Sequence, residues 1–240
     1  MSKSGAKPID WERLLSAAAR LQSLLPDAVL VGGTAAALFA GHRLSHDADH
    51  TLFDLRDRYD QVLEKLESET GWKSAKNKRP VIILGNFDGI ETGVRQLIRQ
   101  KPLETTVIDY KGIKLTVPTQ EEILRIKAFL ILKRNATRDY IDFAALADHL
   151  GVNQTAMALK SFDALYPQQS GESALQQLQA QLSNSLPYDL AKTNLLSYKQ
   201  LDKRWSDFTT VRKYLANMAV NIFDLVCDYH KENPPNAPKP

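Results

Sequence analysis

A single cysteine stands among the 240 residues, so no disulfide can form within the chain. Cys227 lies in an apolar run with Ile222, Phe223, Leu225 and Val226, where a small core residue is expected. No segment is apolar over the ~20 residues that a helix needs to cross a bilayer. The amino terminus, MSKSGAKP, lacks the apolar stretch of a secretion signal. No internal repeat is present. Charge of one sign is nowhere concentrated: 31 Lys and Arg against 28 Asp and Glu leave a net +3. That balance permits contact with nucleic acid without the dense basic tail that would argue for it. What is present is ordinary for a globular chain, 43% hydrophobic and 25% charged residues, with length enough for one large domain or two small ones.

The informative stretch runs from Val29 to Leu55. Val29-Leu30-Val31 is too short for a helix and rich in β-branched residues, so a buried strand is expected. Gly32 and Gly33 follow, then Thr34 and the helix-forming Ala35-Ala36-Ala37-Leu38. Strand, glycine pair and helix start let a phosphate approach the backbone, facing the unpaired N–H groups and positive end of the helix; the same pattern also makes an ordinary tight turn. Beyond it, Ser45 to Phe53 contains Asp47 and Asp49. On a strand they point the same way. Two carboxylates on one face repel unless a cation lies between them, and hard oxygen donors suit Mg²⁺. In a solvated loop the same residues would only cap and turn. A glycine-lined cradle beside a carboxylate pair is equipment for metal-assisted phosphoryl transfer.

A second group lies in helical sequence. Thr119 and Glu122 make a capping box for a helix over 120–133, and Lys127 and Arg134 fall inside its apolar arc with Ile123, Leu130 and Ile131. A lysine there snorkels, pairs with an acid or meets a ligand. Asp139 and Asp142, three apart at the start of the next helix, share a face. Arg138 beside them can bridge a carboxylate or a phosphate, although acidic residues at a helix start are also favourable on their own.

The remaining chain reads as helix from Pro8 to Leu25 with Asp10 as N-cap, and an amphipathic helix over 56–69. Strands are expected over 79–85 and 90–98 joined by a hairpin at Asn86-Phe87-Asp88-Gly89. A second hairpin over 105–117 turns at Lys111-Gly112. Everything after Thr119 reads as helical, including about 186–204 and 208–230, up to a disordered tail with four prolines in its last seven positions.

GGT, then Gly41-His42-Arg43, then S-x-D-x-D resembles the first motif of nucleotidyltransferases of the DNA polymerase β superfamily. Within it the nearest likeness is to the AbiEii branch, the toxin half of bacterial abortive-infection and toxin–antitoxin pairs. KAFLILKRNATRDYIDFAAL, from Lys127 to Leu146, resembles that branch's K…R…RD-x-x-D signature. The resemblance implies an α+β fold: a nucleotidyltransferase-like mixed sheet with flanking helices over 1–118, a C-terminal helical bundle over 119–232 and a tail over 233–240. It implies an NTP in the cleft between them, with Asp47 and Asp49 as catalytic ligands of Mg²⁺ (or Mn²⁺). Gly32, Gly33, Thr34, Arg43, Lys127, Arg138 and Asp139 would contact the nucleotide, and Asp142 would organise the site near Lys127. It further implies transfer of NMP to a tRNA 3′ end or a protein hydroxyl, a separately encoded antitoxin and a cytoplasmic location. The third metal-binding carboxylate of the superfamily is expected at Gln96, an amide; Glu91 and Asp109 are the substitutes in reach. This departure keeps a second expectation open, a weakened member that binds nucleotide or a partner without turnover. His42, His46 and His50 suggest zinc, but His-x₃-His on a strand and turn would splay the rings.

Overall fold

The computed structural model describes residues 11–232. Pro8, Asp10 and the proline-rich tail lie outside the described residues. The chain divides into two compact units, one built from residues up to 35 together with 44–118, the other from 36–43 together with 119 onward.

The first unit is a five-stranded sheet with two helices and a separate hairpin. Its elements are α1 (Trp11–Leu24), β1 (Val29–Leu30), β2 (Asp47–Leu52), α3 (Tyr59–Glu67), β3 (Trp72–Lys78), β4 (Ile82–Phe87), β5 (Ile90–Gln96), β6 (Thr105–Tyr110) and β7 (Ile113–Pro118); α2 (Gly32–Ala40) starts here and continues into the second unit. The sheet order is β1-β2-β5-β4-β3, with β6 and β7 paired apart. Only β2 and β5 run parallel, so the sheet is mixed. Leu14, Leu15, Ala18 and Leu21 recur at helical spacing on α1 and are fully buried, as are Leu30, Ala48, Ile83 and Val94 from the strands. Both expected hairpins form, and each turn is left-handed at two successive positions, Asp88 and Gly89 in one and Lys111 and Gly112 in the other.

Two expectations about the strands are corrected. The strand expected over 79–85 is displaced to Ile82–Phe87. Trp72–Lys78 is an unexpected edge strand whose residues after Trp72 are all exposed, so no buried alternation betrays it. Gly93 is required where β5 passes between β2 and β4: a Cβ there would lie 2.4 Å from the Ile83 carbonyl oxygen and 2.9 Å from Leu84 Cα. Gly93→Ala should therefore cost about 1–3 kcal/mol, seen as a lower urea midpoint with an unchanged slope.

In the second unit α4 (Gln120–Arg134), α5 (Thr137–Leu150), α6 (Val152–Leu159), α7 (Phe162–Leu165), α8 (Ala174–Ser183) and α9 (Phe208–Glu232) form the expected helical bundle. Thr119 Oγ1 accepts from Glu122 N at 3.2 Å, the cap that the sequence indicates. The helix expected over 186–204 is absent; this stretch holds only three short 3₁₀ turns. Leu186, Tyr188 and Leu196 are exposed and Leu190, Leu195 and Leu201 only half-buried, so the segment lacks the continuous buried face that would stabilise a regular helix. It serves α5 instead: Asp189 Oδ1 accepts from Thr137 N at 2.8 Å and Thr137 Oγ1 at 2.7 Å. That carboxylate replaces the side-chain cap that Ala136 cannot offer. Cys227 is half-buried.

Candidate active site

In the first unit, Asp47 opens β2 and Asp49 follows two positions on. Their neighbours Ala48 and His50 are fully buried, whereas the two aspartates are half-buried on the opposite face. The glycine bend lies against them. Val31 N donates to Asp49 O at 2.8 Å, and a Cβ on Gly32 would lie 3.8 Å from Asp49 Cβ. Gly32 is left-handed at φ 75°, which turns the strand into α2 and leaves the N–H groups of its first turn, where Gly33 and Thr34 lie, without intrahelical partners. Thr34 Oγ1 donates to Asp47 O at 2.5 Å, fixing α2 to the start of β2. Ser45 Oγ donates to Asp47 Oδ1 at 2.8 Å, and Arg95 Nε lies 3.7 Å from Asp49 Oδ1. Two oxygen-donor groups on one accessible face fit one divalent cation; among the described residues no group of three His, Cys, Asp or Glu could hold one.

The second unit holds a buried charge cluster around α5. Asp142, fully buried, accepts from Arg43 Nε at 2.7 Å and Arg43 Nη2 at 2.9 Å, from His42 Nε2 at 2.7 Å, and from the Lys127 ammonium at 2.7 Å. Lys127 is only 1% exposed and its second acid is Asp139 at 3.6 Å. Asp139 is itself held bidentately by Arg134 at 2.5 and 2.7 Å. So Lys127 does not snorkel; it pairs. Burial alone would raise the Asp142 pKa, but Arg43 and Lys127, with the His42 hydrogen bond, hold it well below the usual carboxylate range. The Arg43 guanidinium also stands 5.8 Å from the Tyr198 ring centroid. Burial pushes the Tyr198 hydroxyl up, partly countered by Arg43. Arg138 is exposed and forms no ion pair among the described residues.

Residues 13–217 match the family described as nucleotidyl transferase AbiEii toxin, Type IV TA system. The chain belongs to the AbiEii nucleotidyltransferase family. Two solved structures are similar to this chain: an antigenic nucleotidyltransferase-like protein from Paracoccidioides brasiliensis (18% identity, 66% of this chain and 90% of that one, TM-score 0.45) and a candidate nucleotidyltransferase from H. pylori (18%, 91% and 96%, TM-score 0.49). The heme uptake protein MmpL11 of Mycobacterium tuberculosis is 29% identical over 90% of this chain, which spans 23% of that protein's length. Among the described residues no helix is long and apolar enough to cross a membrane.

The sheet register shows which side chains of an AbiEii chain share the aspartate face, and Gln96, expected as the third-carboxylate position, is not one of them. Gln96 pairs with Leu52, on the face away from the aspartates. Its amide donates to Phe53 O at 2.5 Å and accepts from Arg56 N at 2.9 Å. Asp109 spends Oδ1 on Gly112 N in its own hairpin. The β5 residues that share a face with Asp47 and Asp49 are Glu91, Gly93 and Arg95. Sequence reading missed Arg95 for want of the phase of the strand. It also missed a basic row. A bulge between Ser74 and Lys76 resets β3, so that Lys73, Lys76 and Lys78, paired with Asn86, Leu84 and Ile82, all fall on the aspartate face.

Proposed function

We propose that this protein transfers a nucleoside monophosphate from an NTP to an RNA hydroxyl, using a divalent ion held by Asp47 and Asp49. The observation that carries the reading is the pair of carboxylates on one face of β2 with the Gly32-Gly33 bend against Asp49. Gly32, Gly33 and Thr34 would seat the phosphates at the start of α2. When bound, Mg²⁺ or Mn²⁺ would polarise the phosphoryl oxygens and steady the leaving pyrophosphate. Lys73, Lys76 and Lys78, none of which has an ion-pair partner among the described residues, favour a polyanionic acceptor such as tRNA over a protein hydroxyl. In the second unit the family signature assigns Arg43, Lys127, Arg138 and Asp139 to nucleotide binding; Arg138 alone is exposed for direct contact, and the buried Arg43, Lys127 and Asp139 would act through the charge cluster. Asp142 is assigned the organising role, which its bonds to Arg43 and Lys127 support. The family description further supports a toxin held in check by a separately encoded antitoxin, acting in the cytoplasm where NTPs and tRNA are found.

A second reading, binding without turnover, is favoured by one observation: among the described residues no third acid joins the aspartate pair. Incubation with labelled NTPs, Mg²⁺ and total RNA separates the two. Transfer of label is expected, and Asp47→Asn or Asp49→Asn should lower it by about 100-fold. Both side chains are half-buried on a sheet face, so thermal melting should barely move. Full transfer by both variants would remove the mechanism.

A further inference from the structure

We propose that the Asp47–Asp49 face takes one divalent ion rather than two, and that the Arg95 guanidinium stands where a two-ion site would need its third carboxylate. This rests on the nucleotidyl-transfer reading above. Two ions about 3.5–4 Å apart must share carboxylates drawn from adjoining strands. The strand beside β2 on that side is β5, and the register leaves three of its positions on the shared face. Gly93, directly opposite Asp49, admits no side chain, because a Cβ would lie 2.4 Å from the Ile83 carbonyl. Glu91, opposite Asp47, is exposed and forms no three-acid group with the pair among the described residues. Arg95, opposite Thr51, is the position left, and it is a cation whose Nε lies 3.7 Å from Asp49 Oδ1.

The charge there works against a second dication. A guanidinium stays protonated at every physiological pH and repels a metal ion placed on the same side of Asp49. It also carries a planar fork of donors that matches phosphate oxygens. Arg95 is 44% exposed, so the fork remains accessible beside its loose contact with Asp49. One ion and one guanidinium would thus divide the work that two ions do elsewhere: Asp47 and Asp49 would hold the ion, and Arg95 would neutralise and position the triphosphate. The plainer account of Arg95, a solvated ion pair worth little, predicts no effect on how many ions bind.

Equilibrium dialysis of the full chain against Mn²⁺ and each of the four α,β-methylene nucleoside triphosphates counts ions and nucleotide retained. One Mn²⁺ per chain is expected for the wild type and two for Arg95→Glu. Arg95→Ala should keep one ion and bind the analogue about tenfold more weakly. Melting curves confirm that these variants of a half-exposed residue are folded. Two Mn²⁺ on the wild type would overturn the inference while leaving nucleotidyl transfer standing, and a fall to one in Glu91→Gln would then name the missing ligand. A single ion on Arg95→Glu would remove Arg95 from the ion site and overturn the inference equally. No retained Mn²⁺ with any analogue would instead overturn the proposed function itself.

Discussion

Asp142→Ala should destabilise the protein by about 3–5 kcal/mol, the largest loss expected from any single side chain of the charge cluster. The reason is what the deletion leaves behind. Lys127 is 1% exposed, and without Asp142 its ammonium keeps only Asp139 at 3.6 Å. Asp139 is already engaged at both oxygens by Arg134 Nε and Nη2. Arg43 loses both of its bonds to Asp142, and His42, whose Nδ1 has no partner, loses the bond at its other nitrogen. A buried cation left without its counter-charge costs far more than the intact pair contributes. Lys127→Met should therefore cost less than Asp142→Ala, because Asp142 would keep Arg43 and His42. Urea unfolding followed by circular dichroism measures both, and a loss under about 1 kcal/mol for Asp142→Ala would show that the cluster does not hold the second unit together. The pH sign follows from the depressed carboxyl. Asp142 binds its proton more weakly folded than unfolded, so its contribution is complete above the ordinary value of 3.8 and is lost as pH falls through the folded value.

Local chemistry was readable from the residues, and long-range partnership was not. Thr119 caps α4, and the Asp88-Gly89 and Lys111-Gly112 turns adopt the left-handed backbone that Asp and Gly favour, with Lys111 carried into it by the Gly112 turn. The one-face placement of Asp47 and Asp49 needed only strand alternation; the nearness of Asp142 to Lys127 came instead from the resemblance to the family's K…RD-x-x-D signature. None of these depends on distant sequence. By contrast Asp142 meets His42 and Arg43 across 100 and 99 positions, and Asp189 caps α5 across 52. No local pattern encodes such distances. The edge strand Trp72–Lys78 is defined by its pairing with β4, not by an apolar rhythm of its own. The confusion of Gln96 with Arg95 is a phase error of one residue. On a strand that exchanges faces entirely, and only the pairing of Asp49 with Gly93 fixes the phase. The stretch over 186–204 failed for the opposite reason: Leu186 and Leu196 face solvent and Leu190, Leu195 and Leu201 are only half-buried, so no buried apolar face stabilised a helix.

The same register predicts a loss of stability in mild acid, caused by the residue between the carboxylates and the core. His50 follows Asp49 on β2 and points to the buried face, where it is fully enclosed and neither ring nitrogen makes a hydrogen bond of good geometry, with the Ala48 and Gly93 backbone near it. Burial drives its pKa from 6.5 down to about 4, and the backbone groups of Ala48 and Gly93 offset this only in part. The folded protein therefore keeps a neutral imidazole where the unfolded chain takes up a proton. Above pH 6.5 both states are neutral and His50 has no pH effect. As pH falls from there to about 4, the unfolded state alone gains the proton, and stability should drop by about 3 kcal/mol in all. Urea midpoints collected across that window should slope downward with acid in the wild type. His50→Leu, similar in volume and unable to titrate, should flatten that limb while leaving the further fall below pH 3.8, where the unfolded chain's Asp142 takes up a proton that the folded carboxyl resists. An unchanged slope in His50→Leu would mean that the imidazole is charged or solvated in the folded state. Its position on the enclosed face of β2 would then be wrong, and with it the register that puts Asp47, Asp49 and Arg95 together on the other.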